Sequence, residues 1–205
     1  MQHVGVRVGT ATDVIKAVEA TTEIASYARE NLGWELRVGV NHTGPADQIS
    51  VFSRNDSLEQ LLSRRASVMT DPGMVERMGR IADLYEVGSA HTYILRPLFG
   101  EVERSDKELI YFRMVNVKPG TLGAMVAQSE PICTHLRSEH NLDVDVAALI
   151  GDGEALLWGV RFANGDEISA GFETTMADEA YNQMVAATAE NIASVRDRIV
   201  RLLPA

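Results

Sequence analysis

The stretch SVFSRNDSLEQLLSRRASVMTDPGMVERM, residues 50–78, predicts a strand followed by a helix that Asp71-Pro72 breaks or recaps. The strand is the run QISVFSR, which begins at residue 48 and ends in a polar turn. A helix follows, because apolar residues recur there at the spacing of one helical face: Leu58, Leu61, Leu62, Val68 and Met69. Asp71 can cap a second helix and Pro72 suits a first helical position, so we expect a break between them.

The residues on either side complete an ordered set of elements in the first half of the chain. HVGVRVG (3–9) alternates as a half-buried strand does, and a helix that ends near Gly33 follows it. WELRVGVN (34–41) predicts a strand that pairs in antiparallel fashion with residues 48–54. AHTYILRPL (90–98) predicts a closing strand. The predicted order is strand, helix, strand, strand, helix, strand.

The second half begins in the same way. KELIYFRMVNV (107–117) predicts a strand, and a helix starts near Leu122. We expect a kink or a restart in that helix around Pro131, because proline removes a helical hydrogen bond. LDVDVAALIGDG (142–153) has no obvious counterpart in the first half and is predicted as an extra edge strand.

The end of the chain carries a hairpin signal and a helical stripe. Asn164-Gly165 is typical of a type I′ turn, so we expect ALLWGVRFA (155–163) to pair with EISAGFETT (167–175). Residues 181–202 are predicted as one amphipathic helix, because their apolar positions have helical spacing. On this interpretation the second half lacks a closing strand.

Composition limits the classes of partner. The chain has 205 residues, a formal net charge of −10 and an isoelectric point near 5.0. We expect two units, 1–98 and 107–205, joined by a polar linker at 99–106.

An acidic chain is poorly suited to a phosphate backbone, so we expect no nucleic-acid partner. No apolar run approaches the ~20 residues of a membrane span. The first residues lack signal-peptide features, so we expect no membrane partner and a cytoplasmic location.

Three stretches resemble the dimeric α+β barrel superfamily: residues 50–78, YFRMVNVKPGTLGAMV (111–126) and GFETTMADEAYNQMV (171–185). They are similar to NIPSNAP-like and antibiotic-biosynthesis-monooxygenase-like members. The resemblance implies an α+β fold in which two tandem ferredoxin-like units form a pseudo-dimeric α+β barrel with antiparallel sheets. It also implies a pocket between the sheet and the helices of each unit.

Histidines are the first candidates for chemistry, because imidazole can move a proton or bind a metal. His135 is expected on a helix, where Glu139 lies one turn later, so the pair could hold a proton or one edge of a metal site. The alternative is a solvated pair on an outer face, and we expect no metal site. His140 is expected to point elsewhere. His91 precedes a strand and could face a pocket or bind only backbone.

A pocket for an aromatic substrate needs aromatic walls and a group that stabilises an anion. The candidate wall residues are Trp34, Tyr93, Tyr111, Phe112, Trp158 and Phe172. Their alternative role is simple core packing. Arg96, Arg113 and Arg161 lie on predicted strands, and Arg113 is the strongest candidate because an arginine among apolar residues is costly unless it is paired.

The sequence contains no cofactor-binding motif. A nucleotide-binding loop and a zinc-protease helix are both absent. Haem-degrading members of the superfamily use a helical histidine with an asparagine and a tryptophan, and Trp34 and Trp158 both fall on predicted strands. We therefore expect no cofactor, and haem is disfavoured.

Two functions remain open. The first is a cofactor-free monooxygenase or isomerase that acts on an aromatic or polyketide-like substrate; its catalytic candidates are Arg113, His135 and His91, and its substrate-binding candidates are Tyr93, Tyr111, Trp158 and Phe172. The second is a non-catalytic, NIPSNAP-like ligand-binding or assembly protein whose pockets are filled by side chains. Both involve a small-molecule ligand or a protein contact, and a homo-oligomer is compatible with either.

Overall fold

A computed structural model describes residues 2–99, 106–151 and 153–204. The first half contains β1 (His3–Thr10), α1 (Val14–Leu32), β2 (Leu36–Asn41), β3 (Gln48–Asn55), α2 (Leu58–Thr70), α3 (Pro72–Ile81) and β4 (His91–Phe99). The second half contains β5 (Leu109–Val117), α4 (Leu122–Ser138), β6 (Asp143–Ile150), β7 (Ala155–Phe162), α5 (Gly165–Ala177), α6 (Glu179–Thr188) and β8 (Ile192–Leu202). The two halves therefore have the same order of strands and helices.

The strands follow the order β1-β3-β2-β8-β5-β7-β6-β4 in a closed antiparallel barrel. The α+β class and the antiparallel barrel predicted from the sequence are confirmed. By their contacts, residues 1–95 with 201–205 form one compact unit, the N-terminal unit, and residues 96–200 form the C-terminal unit. Most of the predicted linker, residues 100–105, lies outside the described residues.

Each unit has its own core on one face of its sheet. In the N-terminal unit, buried residues of α1, α2 and α3 pack on β1–β3, among them Ala28, Leu61 and Met74. In the C-terminal unit, the buried residues of α4 pack on β5, β6 and β7 around Leu156 and Trp158. No helix among the described residues is long and apolar enough to cross a membrane.

The predicted hairpin at residues 155–175 is wrong. Asn164 begins α5 instead: its side-chain oxygen accepts a hydrogen bond from the Glu167 backbone N–H at 2.9 Å. The Glu167 carboxylate in turn accepts from the Ala163 backbone N–H at 2.9 Å. Asparagine is favoured both at helix N-caps and in tight turns. The hydrogen bond that the Glu167 side chain accepts favours the helix here.

The predicted final helix is half wrong. Residues 179–188 are helical, but β8 occupies residues 192–202, so the C-terminal unit does have a closing strand. Residues 143–150 are not an extra strand either, because β6 pairs with β7 as β2 pairs with β3. The expected restart at Pro131 is absent, since α4 runs through that residue, which costs the helix one internal hydrogen bond.

Candidate functional site

The N-terminal unit contains a partly open cavity of about 550 Å³ between its sheet and its helices. Its floor is one face of β1 and β3, formed by residues that lie directly opposite each other: Gly5 with Ser53, Arg7 with Val51, and Gly9 with Ile49. Side chains of the helices and loops, including Ile24, Met74, Met78 and Tyr85, form the walls. Most of the lining is apolar, as in small-molecule sites of this size.

Glycines in β1 keep the floor open. A Cβ atom at Gly5 would lie 2.7 Å from Oγ of Ser53, and one at Gly9 would lie 2.9 Å from Cδ1 of Tyr85. Both distances are shorter than ordinary carbon contacts. Any larger residue at these positions would therefore displace the side chains that surround the cavity.

Trp34 contributes a polar atom without a partner. The residue follows Gly33, whose left-handed backbone (φ 60°) ends α1, and its backbone N–H donates to the carbonyl of Ala28. The indole is 6% exposed, and its Nε1 is buried with no hydrogen-bond partner in the described part of the chain. A buried, unpaired donor is costly, and Trp34 is one of the residues that line the cavity.

Two hydroxyl groups lie close together on the cavity wall. The Tyr85 hydroxyl and Oγ1 of Thr21 are 2.7 Å apart. Burial raises the pKa of the Tyr85 hydroxyl, so this group stays protonated at neutral pH. It can therefore donate a hydrogen bond but cannot act as a phenolate base.

Two arginines reach the same cavity. Arg7 comes from β1 and Arg65 from α2. Burial lowers the pKa of Arg65, and the nearby charge of Arg7 lowers it further. The cross-strand neighbours of Arg7 are Val51 and Thr92, neither of which carries a negative charge. The two cations thus repel each other, and an anion between them would relieve that repulsion.

The C-terminal unit has the same register, with larger side chains at two of the corresponding positions. His3 pairs with the last residue of β3, and Leu109 pairs with the last residue of β7, so β1 and β5 align residue by residue. Arg7 then corresponds to Arg113. The floor positions of Gly5 and Gly9 correspond to Tyr111 and Val115, whose larger side chains belong to the packed core around β5 and β7.

Arg113, the strongest catalytic candidate of the sequence analysis, is held by a carboxylate. Its Nε and Nη2 each donate to Asp197 of β8 at 2.9 Å, and these bonds raise its pKa. Burial by itself would raise the pKa of Asp197, but the hydrogen bonds and charge of Arg113 outweigh burial and lower it. An arginine paired in this way has less positive charge to offer a ligand.

Two of the predicted substrate-binding residues lie next to that pair. The Tyr111 and Phe172 rings meet edge to face with centroids 5.1 Å apart, and Arg113 lies 5.7 Å from the centre of the Tyr111 ring. Burial raises the pKa of the Tyr111 hydroxyl well above its ordinary value. Trp158 lies directly opposite Arg113 in the sheet and is 8% exposed within the core.

Two of the remaining candidates, His91 and Tyr93, lie on β4. His91 is exposed at the start of β4, and Tyr93 is half-buried opposite Val6. Neither is among the residues that line the cavity of the N-terminal unit.

His135 lies in the last turns of α4, and its partner is Asp178 rather than Glu139. Nε2 of His135 is 2.6 Å from Oδ2 of Asp178, and Nε2 of His140 is 2.7 Å from the same oxygen. The expectation that His140 points elsewhere is therefore wrong, because the chain turns back after α4 at Asn141 (φ 50°). Hydrogen bonds from His135, the Tyr181 backbone and His140 hold the pKa of Asp178 well below its usual range.

Of the cavity residues, Trp34 was predicted from the sequence as a wall residue, whereas Arg7 was not. A usable signal was present, since HVGVRVGT and LIYFRMVN place an arginine at the same position between two apolar residues. Asp178 was also missed as a partner of the histidines. It lies 43 residues from His135, and no local pattern links positions so far apart.

Comparisons with known proteins show which solved structures share this fold. No protein-family model and no curated protein sequence matches this chain. A proposed monooxygenase from Lactobacillus acidophilus NCFM is 11% identical with a TM-score of 0.70, over 98% of this chain and 93% of that one. An anthrone oxidase-like protein is 13% identical with a TM-score of 0.73, over 99% and 92%.

A proposed chlorite dismutase is 10% identical with a TM-score of 0.56, over 100% of this chain and 96% of that one. At such low identity these likenesses define architecture and leave the activity open. The chain has the dimeric α+β barrel fold that its sequence motifs indicated.

Proposed function

We propose that this protein is a cofactor-free oxygenase that binds an anionic aromatic or polyketide-like substrate in the cavity of the N-terminal unit. The observation that carries the proposal is one cavity of about 550 Å³ that combines apolar walls, two arginines and an unpaired indole N–H. Apolar walls suit fused rings, whereas the arginines and the N–H suit a negatively charged oxygen on the same molecule.

The reaction begins with loss of a proton from a carbon next to a hydroxylated ring. The resulting carbanion, delocalised as a phenolate or enolate, gives one electron to O₂, and the two radicals join as a peroxide anion. This anion takes the proton back from the base and becomes a hydroperoxide. Loss of water from the hydroperoxide leaves a carbonyl. The balance is R₂CH₂ + O₂ → R₂C=O + H₂O, so substrate and O₂ supply every atom and electron.

Each cavity residue has a defined part in this scheme. Arg7 and Arg65 stabilise the delocalised anion, which lowers the barrier to proton loss. The Trp34 N–H donates to the same oxygen or to a ring carbonyl. Glu86 is the carboxylate among the described lining residues, so we assign it as the base.

The description of one protein with the same fold suggested this choice of chemistry. A protein of the same architecture is described as anthrone oxidase-like, and anthrone oxidation has the balance written above. A ligand-binding protein of the NIPSNAP-like kind remains the alternative, but that alternative predicted pockets filled by side chains. The open cavity in the N-terminal unit favours a small-molecule site.

The test is oxygen consumption with 1,8-dihydroxyanthrone as the probe, corrected for its reaction in buffer with heat-denatured protein. We expect Arg7→Met and Arg65→Met each to lower the catalysed rate about a hundredfold, the typical loss when one anion-stabilising donor is removed. Arg37→Met is the matched control, because Arg37 lies opposite Phe52 and so faces away from the cavity. A wild-type rate equal to that of the denatured protein overturns the enzymatic proposal for this class of substrate.

The same assay compares the two halves of the chain. Arg113→Met tests the arginine that the sequence favoured, which Asp197 now holds. We expect its rate to stay within a few-fold of the wild type. If Arg113→Met abolishes turnover while Arg7→Met does not, the site lies in the C-terminal unit. Native mass spectrometry of the purified protein should accompany the assay, because a bound haem or flavin would contradict a cofactor-free reaction.

A further inference from the structure

We infer that His135, His140 and Asp178 form a binding site for a divalent zinc-like metal ion in the C-terminal unit. Their donor atoms, two imidazole nitrogens and one carboxylate oxygen, all lie within 4.8 Å of one another. This site is separate from the substrate cavity proposed above, which belongs to the N-terminal unit.

The donor set is the kind that zinc prefers. Neutral imidazole and carboxylate oxygen both bind Zn²⁺ at about 2.0–2.2 Å, and three protein ligands with an open fourth position are common. Each Nε2 is now 2.6 or 2.7 Å from Oδ2 of Asp178. Ligands around a tetrahedral zinc stand roughly 3.3 Å apart, so each nitrogen–oxygen distance would have to lengthen by about 0.6 Å to admit the ion.

Backbone geometry holds the three ligands in place. His135 belongs to α4, and His140 follows in a turn closed by the Leu142 N–H, which donates to the Leu136 carbonyl at 3.1 Å. Asp178 is the N-cap of α6, and its Oδ1 accepts from the Tyr181 backbone N–H at 3.0 Å. One carboxylate oxygen is thus fixed by the helix, which leaves the other for the histidines or a metal.

Competition for a single oxygen also favours a metal. Both rings place Nε2 at hydrogen-bond distance from Oδ2, so without an ion one carboxylate oxygen serves two histidines. A cation in the middle would accept a lone pair from each of the three atoms and remove the crowding of two donors at one acceptor. The ligand side chains are 12–20% exposed, so a water molecule can reach the fourth position.

Neighbouring groups do not supply a better partner. Glu139, expected from its spacing to bind His135, is instead hydrogen-bonded by the Ser138 hydroxyl at 3.0 Å. Cys133 is 2% exposed, and its Sγ lies 3.9 Å from the Val144 carbonyl, away from the cluster. The proposed ligand set is therefore limited to the two histidines, the aspartate and water.

The test is a calorimetric titration of the untagged, EDTA-treated full chain with Zn²⁺. We expect one ion per chain, and at least a tenfold loss of affinity in His140→Gln and in Asp178→Asn, since each removes a ligand. Asparagine keeps the helix cap, so Asp178→Asn should retain the wild-type circular dichroism spectrum. His42→Gln is the matched control, because His42 is an exposed loop histidine.

Cobalt provides an independent readout. Co²⁺ bound to the wild type should give the intense visible bands of a four-coordinate site, and His140→Gln should weaken them. No saturable zinc binding to the wild type would overturn the inference. So would an equal loss of affinity in His42→Gln, or affinities in His140→Gln and Asp178→Asn that match the wild type.

Discussion

Replacing Trp34 by phenylalanine separates a ligand-binding role from simple core packing. The substitution deletes the buried, unpaired Nε1–H, which burdens the folded state by about 1–3 kcal/mol. It also removes apolar contacts and leaves a small void, at a cost of similar size, about 1–3 kcal/mol. The two effects oppose each other, so we expect the free energy of unfolding to change by less than about 1 kcal/mol.

Ligand binding should respond much more strongly. If the N–H donates to an anionic oxygen, its loss removes a bond of about 1.5–3 kcal/mol, or roughly 10- to 150-fold in the Kd of the anthrone probe. Urea denaturation measures the first quantity, and fluorescence titration of an unreactive anthraquinone analogue measures the second. Trp158→Phe is the control, because it removes the same indole from the C-terminal core without relieving a fully buried, unpaired donor. Unchanged analogue affinity in Trp34→Phe would refute the assignment, and so would a stability loss equal to that of Trp158→Phe.

Three further substitutions test the fold and the charges. Gly9→Ala should cost about 1–3 kcal/mol in urea denaturation and weaken analogue binding, because its Cβ would lie 2.9 Å from the Tyr85 ring; wild-type behaviour would contradict a tight floor. Asn164→Ala should lower the free energy of unfolding by about 1 kcal/mol through loss of the α5 cap, with Asn164→Asp as a control that keeps it. Asp197 has a lowered pKa in the folded state, so its contribution is complete above the ordinary carboxyl pKa of about 3.9 and is lost as the pH falls. The stability of the wild type should therefore decline more steeply below about pH 4 than the stability of Asp197→Asn. Thermal melts at several pH values measure this difference. Parallel curves of stability against pH for the two proteins would contradict the pairing with Arg113.

The first half of the fold was predictable because each element carries its own local signal. The alternation in β1, the cap at Asp71 and the proline at position 72 all act within a few residues of the structure that they determine. Signals of this kind do not depend on the rest of the chain. The structure matches them closely from residue 3 to residue 99.

The second half of the fold was predicted less well, because local sequence signals there fit more than one secondary structure. Asn164-Gly165 suits both a hairpin turn and a helix start, and the side chain of Glu167 decides between them. In β8, Val195, Asp197 and Ile199 are spaced two residues apart, so they share one face of the strand. The apolar residues of the same segment also fit a helical stripe. Pairing with other strands settles such an ambiguity, and pairing is not visible in a window of ten residues.

The candidate sites could be predicted only in part for a similar reason. Residue types in a strand indicate which side chains share a face, but the sequence does not show whether that face is filled. Trp34 was identified as an aromatic wall residue, yet its unpaired N–H depends on the packing of α1, α2 and α3 around it. The His135 partner could not be predicted, since Asp178 approaches only when α6 packs on α4.

Arg7 and Arg113 show how one scaffold can give the same residue two roles. Both occupy the central position of the first strand of their unit and face the helices. Arg113 has Asp197 at 2.9 Å and lies beside the Tyr111 ring, so its charge is satisfied within the unit. Arg7 lies between Val51 and Thr92, above a floor of glycines, and its charge is directed at a cavity. Under the proposed function, the presence of one carboxylate and the size of two neighbouring side chains distinguish an arginine that is paired within its unit from one that binds an anion.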